Sequence, residues 1–269
     1  MSVHARHLDP YHPGDSMLHR LDERVKLPLA LGLILATALV PPGGWAVYIL
    51  LFSINLALAL LSSLGPLRLL KRALLAIPFA LAALPLLFTT PGEVLFNVVV
   101  GTHTLTASLE GLLRFLGIGV KSWLSIQGAI LLTATTQVDE VFQALRFLKV
   151  PRILVAIISL MWRYLFVMTE ETSRLLRARS ARSGADSIPG RRSGGSAAWR
   201  ARVAGGMAGS LILRSLERSE RVYAAMLARG YDGEIRSLPV PHLAGSDWLI
   251  LILGLAFLLL LTLFGLLMG

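Results

Sequence analysis

Arg177-Ala178-Arg179-Ser180-Ala181-Arg182-Ser183-Gly184 and, further on, Ala224-Ala225-Met226-Leu227-Ala228-Arg229-Gly230-Tyr231 close two predicted helices inside one long basic stretch, residues 137–234, flanked by apolar runs. That stretch carries 16 Lys and Arg against 9 Asp and Glu, so it holds most of the chain's net charge of +10. In a chain that crosses a membrane, an excess of Lys and Arg marks the cytoplasmic side. Each helix ends on a tripeptide, Ala181-Arg182-Ser183 and Ala228-Arg229-Gly230, with one arginine between small residues. A tip of this kind lets a partner's backbone approach closely while the guanidinium grips a carboxylate through two parallel hydrogen bonds. Ala178-Arg179-Ser180 offers the same tripeptide in an earlier register. This is docking chemistry, and no catalytic residue is assigned.

The rest of the chain supplies the membrane. Of 269 residues 55% are hydrophobic and 16% charged, with a mean hydropathy of +0.67. A helix needs about 20 apolar residues to cross a hydrocarbon core of roughly 30 Å. The sequence predicts an all-α, polytopic transmembrane helical bundle with long cytoplasmic coupling helices. There is no cysteine, which excludes disulfides, thiolate metal sites and cysteine nucleophiles. The first apolar run follows a polar segment with several charges, so the first span is expected to remain in the mature protein.

Residues 1–26 form the expected cytoplasmic N-terminal segment, leading straight into the first span. Residues 27–135 hold four transmembrane helices. Leu27 to Val40 and Trp45 to Leu64 pair around the turn Pro41-Pro42-Gly43-Gly44. A basic loop with Arg68, Lys71 and Arg72 returns the chain to the cytoplasmic side, and Ala73 to Phe88 crosses again, kinked or broken at Pro78 and Pro85. Thr89 to Glu110 lacks Lys and Arg and is expected outside. Leu112 to Thr135 crosses inward with Arg114 near the interface, and Lys121 needs an internal partner, lipid headgroups or a later start to the span. Residues 136–235 are the coupling-helix domain, with helices joined by a Gly- and Ser-rich link at 184–195, and residues 246–269 hold a last span. Whether 151–168 crosses fully decides the parity of the spans.

The order Pro151-Arg152, Ser159-Leu160-Met161-Trp162-Arg163-Tyr164, Glu170-Glu171, Ala181-Arg182-Ser183, then Arg218-Ser219-Glu220-Arg221-Val222-Tyr223-Ala224-Ala225-Met226 and Ala228-Arg229-Gly230 resembles the T components of energy-coupling factor transporters, and among them the CbiQ subgroup of cobalt uptake systems. The resemblance covers most of the chain. It implies a bacterial inner-membrane coupling subunit with its N-terminus and coupling domain in the cytoplasm. It also implies two ATP-binding cassette ATPase partners, docked at Arg182 and Arg229, and a membrane S component that binds the substrate. By the same resemblance ATP is used by the partners, this chain binds no cofactor, and the cargo is cobalt or a related divalent metal. T components for nickel or vitamin uptake are similar. Ser183 departs from the Gly of the family's first motif.

Other readings are weaker. No Gly-rich phosphate loop is present, so the chain itself is not expected to hydrolyse ATP. His4, His7 and His12 near Asp9 lie in a terminal segment and are not read as a metal site. The stripe Arg214, Arg218 and Arg221 lacks interleaved aromatics, so lipid headgroups rather than nucleic acid are its expected partners. Arg163 is placed as a structural cation within reach of Glu170. A membrane-embedded lipid-modifying enzyme would need clustered acids or histidines, whereas Glu93, His103, Glu110, Glu170 and Glu171 are scattered.

Overall fold

The computed structural model describes residues 11–62, 64–100, 103–182, 196–233 and 243–268. The chain divides into two compact units, Met1–Leu148 with Val240–Gly269, and Lys149–Pro239.

In the first unit a short helix α1 (Met17–Arg20) precedes α2 (Glu23–Leu39). The two are separate because Asp22 stands in extended backbone and caps α2, its side chain accepting from the Arg24 N–H at 2.8 Å. The helix α3 (Trp45–Leu61) follows a turn in which Gly43 takes a positive φ. Tyr48 closes that turn by donating its hydroxyl to the carbonyls of Pro41 and Val40. Leu33, Val40, Val47, Leu51 and Leu124 are at most 5% exposed and form the core between α2, α3 and the later α7 (Leu109–Thr135).

The stretch expected as a basic loop is helical. Pro66 opens α4 (Pro66–Ala73), whose strongly amphipathic pattern buries Leu69 and leaves Lys71 and Arg72 exposed. The run then breaks where the prolines stand, into a 3₁₀ turn (Leu74–Ala76), α5 (Ile77–Ala82) and α6 (Leu86–Thr89). Within this otherwise helical membrane protein an antiparallel hairpin, β1 (Val94–Val100) and β2 (His103–Ser108), occupies the segment before α7. Ser108 caps α7 by accepting from the Gly111 N–H, and donates its hydroxyl to the Thr90 carbonyl. Gly111 has a steric reason: a Cβ there would stand 2.8 Å from the carbonyl oxygens of Leu86 and Leu87. Only glycine lets α6 and α7 approach so closely.

Two lysines tie the bundle together through carbonyls that the helix ends leave unpaired. Lys121 on α7 donates to the Ala38 carbonyl at 3.1 Å, in the last turn of α2, which answers its need for an internal partner. Lys26 donates to the carbonyls of His19 (3.2 Å) and Thr135 (3.3 Å), joining the end of α1 and the end of α7 to α2. Asn55 of α3 donates to the Leu124 carbonyl at 3.3 Å. Its Oδ1, and both amide atoms of the fully buried Gln127, meet no partner among the described residues.

The helix α8 (Val138–Phe147) opens with a capping box between Gln137 and Glu140 and packs on α2, so the first unit extends past residue 135 to Leu148. The chain returns to this unit as α11 (Gly245–Met268), where Asp247 accepts from the Ala244 N–H at the entry. α11 packs against α2 and α3. The second unit holds α9 (Arg152–Arg182) and α10 (Ala197–Ala228).

Four helical runs are long and apolar enough to span a bilayer: Pro66–Thr89, Leu109–Thr135, Arg152–Arg182 and Gly245–Leu267. Trp45–Leu61 is apolar but shorter. The outward faces of α3, α9 and α11 carry exposed large hydrophobics such as Ile49, Ile153 and Leu260, as lipid-facing helices require.

Candidate functional site

The second unit is built from two helices of 31 and 32 residues, each of about 46–48 Å at 1.5 Å per residue. α9 changes character along its length: apolar residues dominate up to Met168, and Thr169-Glu170-Glu171-Thr172-Ser173-Arg174 is polar. α10 is capped by Ser196, whose Oγ accepts from the Trp199 N–H at 3.2 Å. It has no buried residue within this chain.

A carboxylate of α9 pairs with two arginines of α10. Glu171 of α9 accepts from Arg214 at 2.9 Å and from Arg218 at 3.4 Å, both on α10. Arg214 and Arg218 are four residues apart and so share a helix face, which lets one carboxylate serve both. The Glu171 side chain is 17% exposed and sits between the helices. Thus two arginines of the basic stripe expected to meet lipid headgroups pair with Glu171, Arg214 remaining 56% and Arg218 31% exposed. The third, Arg221, stands 4.0 Å from Glu217 on its own helix. Glu170 pairs with Arg174 at 2.7 Å rather than with Arg163, which is exposed.

Beside this clamp runs an apolar groove of about 520 Å³ between α9 and α10, lined among others by Met161, Tyr164, Met168, Val222, Tyr223 and Met226. Trp162 and Phe166 pack edge to face on α9, one turn apart.

The ends of the helices carry the two tripeptides. Ala228 is the last residue of α10, and Arg229 occupies the cap position with φ −95°. Gly230 follows at φ +79°. Its N–H donates to the Leu227 carbonyl at 2.9 Å, and the Tyr231 N–H reaches back to the Met226 carbonyl at 3.0 Å. This pair of bonds is a Schellman motif, which turns the chain out of the helix immediately after the arginine. A side chain at the glycine position would cost about 1 kcal/mol in the left-handed region, although nothing lies within 4 Å of its would-be Cβ. Glycine is therefore selected here by backbone, and the arginine is left exposed at the tip.

α9 runs without interruption through Ala178, Arg179, Ser180, Ala181 and Arg182. Arg182 is its last residue and is exposed, while Arg179 lies one turn back and is half-buried. Ser183 lies outside the described residues, as do the Gly-rich link at 184–195 and His4, His7 and Asp9. His12 is held in place, its N–H donating to the Ala134 carbonyl and its ring 3.5 Å from the Arg72 guanidinium. Among the described residues no three His, Asp or Glu side chains converge as metal ligands would.

Residues 14–242 match the family described as CbiQ, cobalt transport protein. The chain belongs to the CbiQ family. It is similar to the cobalt transport protein CbiQ of Rhodobacter capsulatus, 28% identical over 86% of this chain and 85% of that one. It is also similar to the energy-coupling factor transporter transmembrane protein EcfT of Exiguobacterium sibiricum, 31% identical over 82% and 83% of the two chains. An uncharacterized protein of Methanocaldococcus jannaschii is 30% identical over 79% of this chain and 71% of its own. The matched region takes in the whole second unit and most of the first, so it covers both tripeptides and every helix up to α10, and ends before α11.

Proposed function

We propose that this chain is the transmembrane coupling component of an energy-coupling factor importer for cobalt, seated in the cell membrane with its coupling-helix domain, residues 136–235, in the cytoplasm and at the membrane edge. The observation that carries this is the second unit: two long helices, clamped together by Glu171, each delivering an Ala-Arg pair to its end. Family membership and the printed names of the relatives in Rhodobacter capsulatus and Exiguobacterium sibiricum support the class of machine.

In this reading ATP-binding cassette ATPases dock on the tips, one at Ala181-Arg182-Ser183 and one at Ala228-Arg229-Gly230, each arginine gripping an acidic group in an ATPase groove. Arg182, at the helix end, is the first-motif contact in preference to Arg179. ATP is bound and hydrolysed by those partners, and this chain performs no catalysis. Closure of the ATPases moves the tips, and the stiff helices carry that displacement to the membrane surface on which a substrate-binding component rides. The clamp at Glu171 makes α9 and α10 respond as a pair.

The test is accumulation of radiolabelled Co²⁺ by cells expressing the ATPases and substrate-binding component, with and without this chain. Energy-dependent cobalt accumulation should require the chain. Accumulation of nickel or of a vitamin in its place would overturn cobalt as the cargo and leave the coupling role standing; accumulation of cobalt without the chain would overturn both.

A further inference from the structure

Arg68, Lys71 and Arg72 of α4 are exposed and share a helix face, distinct from the one that buries Leu69 and Ala73. Elsewhere in the chain cations are engaged by the protein itself: Lys26 by backbone carbonyls, Arg174 by Glu170, Arg214 and Arg218 by Glu171. On α4 they are not. None of the three pairs with a carboxylate, and no Asp or Glu occurs between Glu23 and Glu93. Arg72 is steadied from one side, where the His12 ring stands 3.5 Å from its guanidinium and the His12 N–H donates to the Ala134 carbonyl. A guanidinium has five N–H donors, so this contact leaves Arg72 able to bind an anion.

The same face becomes apolar as the chain enters its span. The buried stripe continues from Leu69 and Ala73 to Ala76, so the exposed stripe continues too, from Lys71 and Arg72 to Leu75 and Phe79. Leu75 is 69% and Phe79 63% exposed. Phe79 lies about 10 Å along the helical run from Arg72 at 1.5 Å per residue. Three cations within about one turn, with uncovered hydrocarbon beginning at the next, reproduce the order of phosphate and acyl chain in a phospholipid.

We propose that this face binds an anionic phospholipid, its phosphodiester held by Arg68, Lys71 and Arg72 and one acyl chain lying along Leu75 and Phe79. Clustered Lys and Arg at the mouth of a span attract anionic headgroups. A choline headgroup carries a cation of its own, and α4 offers no carboxylate to receive it. The lipid contact expected of the stripe on α10 thus belongs to α4.

The experiment uses the whole chain, purified in mild detergent, stripped of lipid and mixed with equal amounts of dioleoyl phosphatidylglycerol and dioleoyl phosphatidylcholine. Retained lipid is read by native mass spectrometry. The wild type should retain the glycerol lipid about tenfold over the choline lipid. Arg68→Gln with Lys71→Gln, which spares the contact of Arg72 with His12, should bring the two lipids to within about twofold of each other. Arg200→Gln with Arg202→Gln removes the same charge from exposed positions of α10 and should keep the preference. Glycerophosphoglycerol, the headgroup without chains, should not displace the bound lipid even in large excess. Circular dichroism and gel filtration establish that the variants are folded; if the α4 double variant is not, Arg68→Gln alone takes its place. Equal retention of the two lipids by wild type would overturn the proposal and leave the face to an acidic protein partner. An undiminished preference in the folded α4 variant, the same loss in the α10 control, or displacement by the bare headgroup would overturn it as well.

Discussion

Arg229→Glu should leave the protein folded and inserted and abolish coupled cobalt uptake. The side chain is exposed at the end of α10 and makes no ion pair or side-chain hydrogen bond among the described residues, so the substitution should spare the chain itself. What it changes is the docked complex, where a gripped carboxylate would face another carboxylate. Truncating one partner of a desolvated, hydrogen-bonded charge pair costs about 2–5 kcal/mol, and reversal adds repulsion to that loss. At about 1.4 kcal/mol per tenfold, docking at that tip should weaken by at least about thirtyfold. Arg229→Lys keeps the charge and loses the planar fork, so it should retain part of the activity. The measurement is radiolabelled cobalt uptake, normalised to protein in the membrane; normal uptake by Arg229→Glu would contradict the docking role.

Glu171→Arg should have the second largest effect, by a different route. It replaces the carboxylate that pairs α9 with Arg214 and Arg218 of α10 by a third guanidinium. The helices should splay, and uptake should fall even though both tips are intact. The chain has no native cysteine, so spin labels can be placed at Leu176→Cys and Arg221→Cys alone. The distance distribution between them should broaden and lengthen in Glu171→Arg, and Arg214→Glu with Arg218→Glu in the same chain should narrow it again. An unchanged distribution would remove the clamp from the mechanism.

These two residues illustrate what a single sequence discloses. The tip at Arg229 was legible because its signal is local: a long helical pattern, a small residue, an arginine, and a glycine at the position where the chain must take a positive φ. The continuity of α9 from apolar to polar was legible for the same reason, since helical spacing does not stop at Met168. The clamp was not. Glu171 lies 43 and 47 residues from Arg214 and Arg218, and a sequence does not say which of several acids faces which of several arginines. The same holds for Lys121 and Lys26, whose partners are backbone carbonyls 83 and 109 residues away and carry no side-chain signature.

The hairpin is a different case, because its signal was present. Val94-Leu95-Phe96-Asn97-Val98-Val99-Val100 and His103-Thr104-Leu105-Thr106-Ala107-Ser108 are rich in β-branched residues and separated by two residues including a glycine, which is the pattern of a short hairpin. The lack of Lys and Arg there speaks to the side of the membrane and not to the backbone. The basic residues Arg68, Lys71 and Arg72 misled in the opposite sense: charge suggested a loop, while Pro66 and the apolar spacing of Leu69 and Ala73 built a helix.

The most direct test of the central claim is a pull-down from mild detergent of tagged wild type beside an Arg182→Glu, Arg229→Glu double variant, expressed together with the ATPase and substrate-binding subunits. The eluate is read by mass spectrometry and by its ATPase activity. Nucleotide-binding subunits and ATPase activity should come down with wild type and be lost from the double variant, with the variant still inserted in the membrane. ATPase subunits held equally by both proteins would contradict it.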